Sequence, residues 1–432
     1  MQTRFDALII GAGPAGSSAA ILLATAGWSV ALIEKQMFPR RKVCGECIAA
    51  SNLPLLDALG IGSEFADQAG PELKRVALMR GAQCVSADLP PAGHARHPWG
   101  RALGRETLDT LLLARAQAAG ATVLQPWVVQ AITGDAGNHR CTVREVAGGR
   151  LKQLQAPVTI LAHGSWEPLP EERAVQRLAR SGSDLLAFKA NFTGARLAAG
   201  LLPVLAFEGG YGGMVLADGG LLTLACCIRA DRLDALRRAA PGKAAGEVVE
   251  DMLRRECQGV GEALAGALRF DSWLASGPLQ PGVRLRDHDE VFRIGNAAGE
   301  AHPIIGEGIS MALQSAWLLC AQLEAARPRR VADAQGHWQR HARQRYAAEW
   351  RRHFMPRLRV AAGLAHLAMR PAGAAALMAA LQRFPSLLTR GAAWSGKVSS
   401  VIDDATLGAG LQRRPQAVAL PALHHHLPGE HP

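Results

Sequence analysis

The alternation of apolar and polar positions divides the chain into segments of three kinds. Residues 6–10 are apolar after Asp6, the mark of a strand buried on both faces. Residues 17–26 are small and apolar and predict a helix that Gly27 ends, and residues 28–34 form a second strand closing on Glu34. An amphipathic helix is predicted from near Glu106 and a strand at 122–129. Between 166 and 284 the character changes. Strand-like runs at 185–192, 202–208, 213–217 and 220–230 precede a helical stretch at 244–258, and the glycine-rich segment 208–231 alternates as a hairpin does. Residues 291–323 return to strand, glycine-rich turn, loop and helix, and 351–370 has the pattern of a basic amphipathic helix. This order predicts an α/β fold. A discontinuous Rossmann-like nucleotide domain takes residues 1–75, 100–165 and 285–330. An inserted β-sheet substrate domain takes 76–99 and 166–284. A helical region follows at 331–407, and then a tail at 408–432.

The first unit carries chemistry. Gly11, Gly13, Pro14, Ala15 and Gly16 lie in a G-x-G-x-x-G turn between strand and helix. Gly11 permits the tight turn, Gly13 lets a pyrophosphate approach the backbone, and Gly16 lets the helix lie on the strand. The helix N-terminus offers free N–H groups and the positive end of its dipole to phosphate. Glu34 stands 18 residues after Gly16, where an acid accepts hydrogen bonds from ribose hydroxyls and disfavours a 2′-phosphate. The dinucleotide is therefore FAD or NAD.

A second fingerprint selects FAD. Gly295-Asn-Ala-Ala-Gly299, then Pro303-Ile-Ile-Gly306-Glu-Gly308, then a helix, resembles the flavoprotein oxidoreductases built like p-hydroxybenzoate hydroxylase, geranylgeranyl reductase and flavin-dependent halogenases. The resemblance implies that Asn296 bonds the ribityl chain beside Gly295. It also implies that Gly306, Glu307, Gly308 and Ile309 face the flavin pyrimidine edge. Asn296 and His163 stand where the family has Asp; Asn keeps an acceptor oxygen and loses the charge. "RALGRETLDTLLLARAQAAGATV" matches a further family pattern, in which Arg105 reaches the cofactor and the backbone near Val129 meets the adenine. The stretch "MFPRRKVCGECIAA" resembles the element that crosses the front of the flavin. The resemblance implies that Arg40–Glu46, with Arg41, Cys44 and Gly45 in the cofactor set, lines the flavin; Lys35, just after Glu34, joins that set, and Glu46 and Cys47 are candidate substrate-side groups.

Cys44 and Cys47 are also a C-x-x-C pair, open to disulfide exchange or half a metal site. Exchange with a nicotinamide cofactor would need a second nucleotide domain, and zinc would need two more spaced ligands. Neither pattern occurs, so no metal is expected. No Ser-His-Asp or paired-carboxylate pattern stands out, which suits chemistry carried by a flavin. Among the histidines His163, His288 and His302, the last is the best acid–base candidate because it precedes Pro303 in the flavin-facing loop. The sheet face toward the cofactor is expected to be apolar and to include Trp273. The Trp-x-Trp-x-Ile-Pro stretch of halogenases is missing. The resemblance therefore implies a monooxygenase acting on a lipophilic aromatic or polyketide-like substrate through a flavin C4a-hydroperoxide, with NAD(P)H as electron donor. The alternatives are saturation of isoprenoid C=C bonds and a non-catalytic flavin-binding protein.

Composition alters this picture in one respect. Of 432 residues 49% are hydrophobic, enough for a large core, and no run reaches the length needed to span a bilayer. The net charge is +11, and from Val331 onward there are 13 Lys and Arg against 5 Asp and Glu. Stacking aromatics and nucleic-acid reader motifs are lacking there. The expectation is a cytoplasmic protein with reduced thiols that binds a small lipophilic substrate and no nucleic acid; the basic helices are expected to pack on the core, with peripheral contact to an anionic membrane surface as the alternative. The "HHH" at 424–426 reads as part of the tail.

Overall fold

The computed structural model describes residues 3–165, 181–286, 289–327 and 336–393. Its centre is a five-stranded parallel sheet in the order Phe292–Arg293, Val158–Leu161, Ala7–Ile10, Val30–Ile33 and Thr122–Leu124. The three inner strands are buried along their whole length. Strand periodicity explains how both faces are used. Ala7 and Ile9 pack toward helices Pro14–Thr25, Arg105–Ala118 and Gly308–Ala326, while Leu8 and Ile10 pack on a three-stranded antiparallel sheet through Trp127, Val143 and Leu154.

The first helix begins at Pro14, three residues before the apolar pattern starts, because proline needs no N–H partner in a first turn. It lies against the strand so closely that a Cβ on Gly16 would stand 1.8 Å from the Gly11 carbonyl oxygen. The predicted strand at 122–129 is two strands. Thr122–Leu124 ends the parallel sheet, and Trp127–Thr133 enters the antiparallel one. Pro126 lies between them and has no N–H to continue a ladder.

The inserted domain is built on a larger sheet. Its path runs Leu268–Arg269, Leu185–Thr193, Leu222–Arg229, Gly210–Leu216, Leu201–Phe207, Arg75–Arg80 and Gln83–Asp88, with Leu274–Ser276 paired to Leu185–Thr193. Gly210–Leu216 and Leu222–Arg229 form the hairpin read from the glycine-rich segment. One face, with Phe188, Phe192 and Leu224, is covered by helices that include Ala245–Glu256. Trp273 packs on that covered side, edge-on to Phe188 and Phe192 and bonded to Glu250, so its expected place on the flavin-side face is corrected. The other face, with Leu78, Ala187, Tyr211 and Cys227, meets Ala365, Ala368 and Leu381. These come from helix His337–Met369 and helix Pro371–Arg383, which bend by 105° at their junction. Among the described residues no single helix is long and apolar enough to cross a membrane. His288 and the 408–432 tail lie outside the described residues.

The contact at Gly16 gives the first prediction. Replacing Gly16 with Ala must move helix or strand, and overpacking of this kind costs about 1–3 kcal/mol or more. Urea denaturation should show a lowered midpoint; an unchanged midpoint would mean that the helix–strand contact is looser than described.

Candidate active site

At the first glycine turn the backbone is exposed to an open groove. Gly11 has φ +100°, and a side chain there would meet the Ala162 carbonyl at 2.6 Å. A Cβ on Gly13 would touch only the guanidinium ends of Arg105 and Arg40, at 3.6 and 3.7 Å. Glu34 is buried at the tip of its strand. Its carboxylate accepts the N–H groups of Ala12 and Gln36, both at 2.9 Å. Asp109, fully buried, accepts two hydrogen bonds of 2.7 Å from Arg105 and lies 3.5 Å from Arg40. Burial alone would lower the Arg105 pKa; the Asp109 carboxylate outweighs it and raises the pKa, so the guanidinium stays charged. Two arginines thus stand over Gly13, where a pyrophosphate would approach.

Arg41 is not one of them. It bonds Asp271 at 3.2 Å and the Ser272 carbonyl at 2.9 Å, on the substrate domain. The sequence offers two adjacent arginines, and only the course of the loop decides which side chain turns inward. Lys35 is half-buried just past Glu34, and Val129 packs among Leu124, Trp127 and Cys141.

The second fingerprint closes the other end of the groove. Gly295 donates its N–H to Ser315 Oγ at 2.8 Å, and Asn296 Nδ2 donates to Ser165 Oγ at 2.9 Å. Gly308 opens a helix whose N-terminus faces the groove beside Ile309, and a Cβ on Gly308 or on Gly45 would meet nothing within 4 Å. Backbone therefore borders open space on both sides. The Glu307 side chain turns away to Arg357, at 3.1 Å, so only its backbone belongs to this turn. One continuous cavity of about 440 Å³ joins these parts. It runs from Gly13, Glu34 and Arg40, past Gly45, His163 and Asn296, to the sheet and the C-terminal helices. An acid for ribose, charged guanidinium groups at a backbone cradle, and open backbone at a helix N-terminus together fit a flavin dinucleotide.

The C-x-x-C loop is resolved by its middle. Glu46 is a non-glycine residue at φ +59° and is almost wholly buried. Its carboxylate accepts hydrogen bonds from Lys189 Nζ, from Thr223 Oγ1 at 2.5 Å and from the backbone N–H of Arg105 at 2.9 Å. Glu46 therefore holds the loop, the Arg105 helix and the inserted sheet together, and it also borders the cavity. Lys189 was missed by pattern. A lone Lys inside "LLAFKANF" was its only signal. Cys47 sits in an apolar cluster with Leu73, Val76 and Ala102 while also bordering the cavity. No disulfide joins Cys44 and Cys47. Burial raises the Cys44 pKa against the opposing effect of Arg105, which keeps it a thiol. His302 is buried just behind the wall, with Nδ1 3.2 Å from the Tyr211 hydroxyl. Burial, then the nearby His366, lowers its pKa to about 4, so it is neutral at pH 7.

Comparison with known proteins agrees with this geometry. A family model described as "FAD binding domain" matches residues 4–257, and the chain belongs to that family. A menaquinone reductase of Mycobacterium tuberculosis is 31% identical over 38% of this chain and 38% of its own length. A geranylgeranyl bacteriochlorophyll reductase-like protein of Thermoplasma acidophilum superimposes with a TM-score of 0.68 at 16% identity, covering 96% of this chain and 97% of that one. A myxobacterial chondrochloren halogenase, described as a new variant of FAD-dependent halogenases, also gives 0.68, at 19% identity, covering 82% and 80%. The chain spans less than two thirds of the length of the first curated relatives it matches.

The two arginines provide a test. Removing a charged hydrogen-bond donor costs about 1.5–3 kcal/mol, or roughly 10- to 100-fold in affinity. Arg40→Ala should weaken FAD binding by that amount in a fluorescence titration, and Arg41→Ala should leave it within about twofold. Equal effects would contradict the inward course of Arg40.

Proposed function

We propose that the chain is an FAD-dependent oxidoreductase that saturates carbon–carbon double bonds in the prenyl chain of a lipophilic substrate. The observation that carries this reading is the far end of the cavity. Beyond the Gly306–Gly308 turn it is lined by Val76, Leu202 and Met214 from the sheet and by Leu364, Leu381 and Leu388 from the helices. Each methylene moved there from water gains about 0.8 kcal/mol, so a long hydrocarbon is held by area and shape rather than by a charged contact. Charge along the wall is concentrated at the nucleotide end or already matched. Glu46 is paired with Lys189, and Glu300 with Arg284 at 2.9 Å.

FAD, when bound, would supply the hydride. The chain's own groups would do the rest. The free N–H groups at the start of the Gly308–Ala326 helix would favour the negative charge of a reduced cofactor. The loop at Cys44–Glu46, pinned from behind, would wall the reacting position. The apolar lining would exclude water. Similarity to a menaquinone reductase and to a geranylgeranyl reductase-like protein supports the reading, since menaquinone and geranylgeranyl groups both carry prenyl chains. Monooxygenation of an aromatic or polyketide-like substrate, with NAD(P)H as donor, is the second reading. The same dry lining favours it, because oxygen chemistry also needs water kept out.

Anaerobic chemistry separates the two. Protein reconstituted with FAD and reduced with dithionite should add two hydrogens per double bond to geranylgeraniol or to a short-chain menaquinone, read by mass spectrometry. Products that form only with molecular oxygen and carry an added oxygen atom would replace the first reading by the second.

A further inference from the structure

Three side chains from three separate elements line up between solvent and the cavity wall. Tyr211 stands on the substrate sheet, fully buried, and lines the cavity. His302 stands in the flavin-side loop with Nδ1 3.2 Å from the Tyr211 hydroxyl. His366 stands on the long C-terminal helix with its ring 5.8 Å from that of His302, edge to face. His366 is exposed, and its Nδ1 lies 2.8 Å from the Ala362 carbonyl, which leaves Nε2 for water. We propose that Tyr211 is the proton donor to the substrate carbon next to the one that receives hydride, and that His302 and His366 reload it from solvent. This rests on the double-bond-saturating reading above.

The groups facing this line suit proton transfer. Around Tyr211 are the Cys227 thiol on the neighbouring strand and, on the loop, Glu300, itself held by Arg284. Burial, then these two groups, raises the Tyr211 pKa, so the phenol keeps its proton until a carbon takes it. Facing His302 are Tyr211 from the sheet and His366 from the helix, and the ring is held neutral as described. A neutral imidazole has one donor and one acceptor nitrogen, so it can give a proton at Nδ1 and take one at Nε2.

The step balances. Hydride from the reduced cofactor forms one C–H bond with its own electron pair. The former π pair on the adjacent carbon takes the Tyr211 hydroxyl proton, and the O–H pair stays on the phenol oxygen. That oxygen takes the Nδ1 proton of His302. The ring then gains a proton at Nε2 from the side of His366, across a gap one bridging water can span. The substrate gains two hydrogens, one delivered by the cofactor and one through Tyr211, and the cofactor leaves oxidised.

The test uses FAD-loaded full-length protein, geranylgeraniol as probe and dithionite as reductant, with wild type, Tyr211→Phe, His302→Gln and His366→Ala. A positioned general acid contributes roughly 10²- to 10⁴-fold. Tyr211→Phe should lower kcat by that factor while KM and FAD affinity stay within about threefold. Because dithionite supplies only electrons, the hydrogen carried by the reduced cofactor and the Tyr211 proton both come from solvent, so wild type in deuterated water should place two deuterium atoms per saturated bond, one on each carbon. His366→Ala should slow turnover in a way that added imidazole restores. A second readout is independent of activity. In the oxidised protein with labelled histidine, NMR should show His302 neutral down to a pH near 4, and both Tyr211→Phe and His366→Ala should move its titration. Full turnover by Tyr211→Phe, or a His302 titration indifferent to both substitutions, overturns the relay and leaves the reaction reading standing. Failure of the wild type to saturate the probe removes the reaction reading, and the donor role falls with it.

Discussion

The buried carboxylate of Glu46 is the interaction on which the rest of the site depends. It receives Lys189 and Thr223 from the substrate sheet and the first backbone N–H of the Arg105 helix. One side chain thereby fixes the loop that walls the cavity, the helix that aims Arg105, and the sheet that carries Tyr211. Its positive φ places the carboxylate where all three donors converge, in a conformation that non-glycine residues rarely adopt. Breaking such a buried pair by removing one partner typically costs about 3–5 kcal/mol, because the other charge is left without compensation. A strained backbone kept at that position is consistent with a geometry the surrounding contacts over-determine.

The nucleotide half was largely legible in the sequence, since local chemistry sets it. Glycine spacing, the acid at the end of the second strand and the apolar helix each act over a few residues. The close contacts at Gly11 and Gly16 are the physical content of that spacing. The site's refinements were not legible, since they arise from pairings between distant segments. Lys189 meets Glu46 across 143 residues, and Tyr211 meets His302 across 91. No periodicity signals either pair. The choice between Arg40 and Arg41, the break at Pro126 and the side of the sheet taken by Trp273 likewise depend on how segments pack, which pattern alone does not specify.

The cysteine pair shows the same division. Its spacing suggested sulfur chemistry, whereas its surroundings give one thiol kept protonated by burial and one set in an apolar cluster. The loop's contribution is shape. Gly45 leaves open space where backbone can meet a flat ring, and the residues on either side hold it there. The cavity then grades from charged to apolar over its length. A cofactor anchored by Glu34, Arg40 and Arg105 at one end would leave its reactive edge toward hydrocarbon at the other.

A spectral titration tests this central claim, that one cavity holds the flavin and a lipophilic chain end to end. Adding geranylgeraniol to the oxidised, FAD-loaded protein should perturb the flavin absorption bands in a saturable way. Leu381→Arg should abolish that perturbation without changing FAD affinity. A flavin spectrum indifferent to the prenyl chain, or a perturbation that Leu381→Arg leaves intact, would contradict the account.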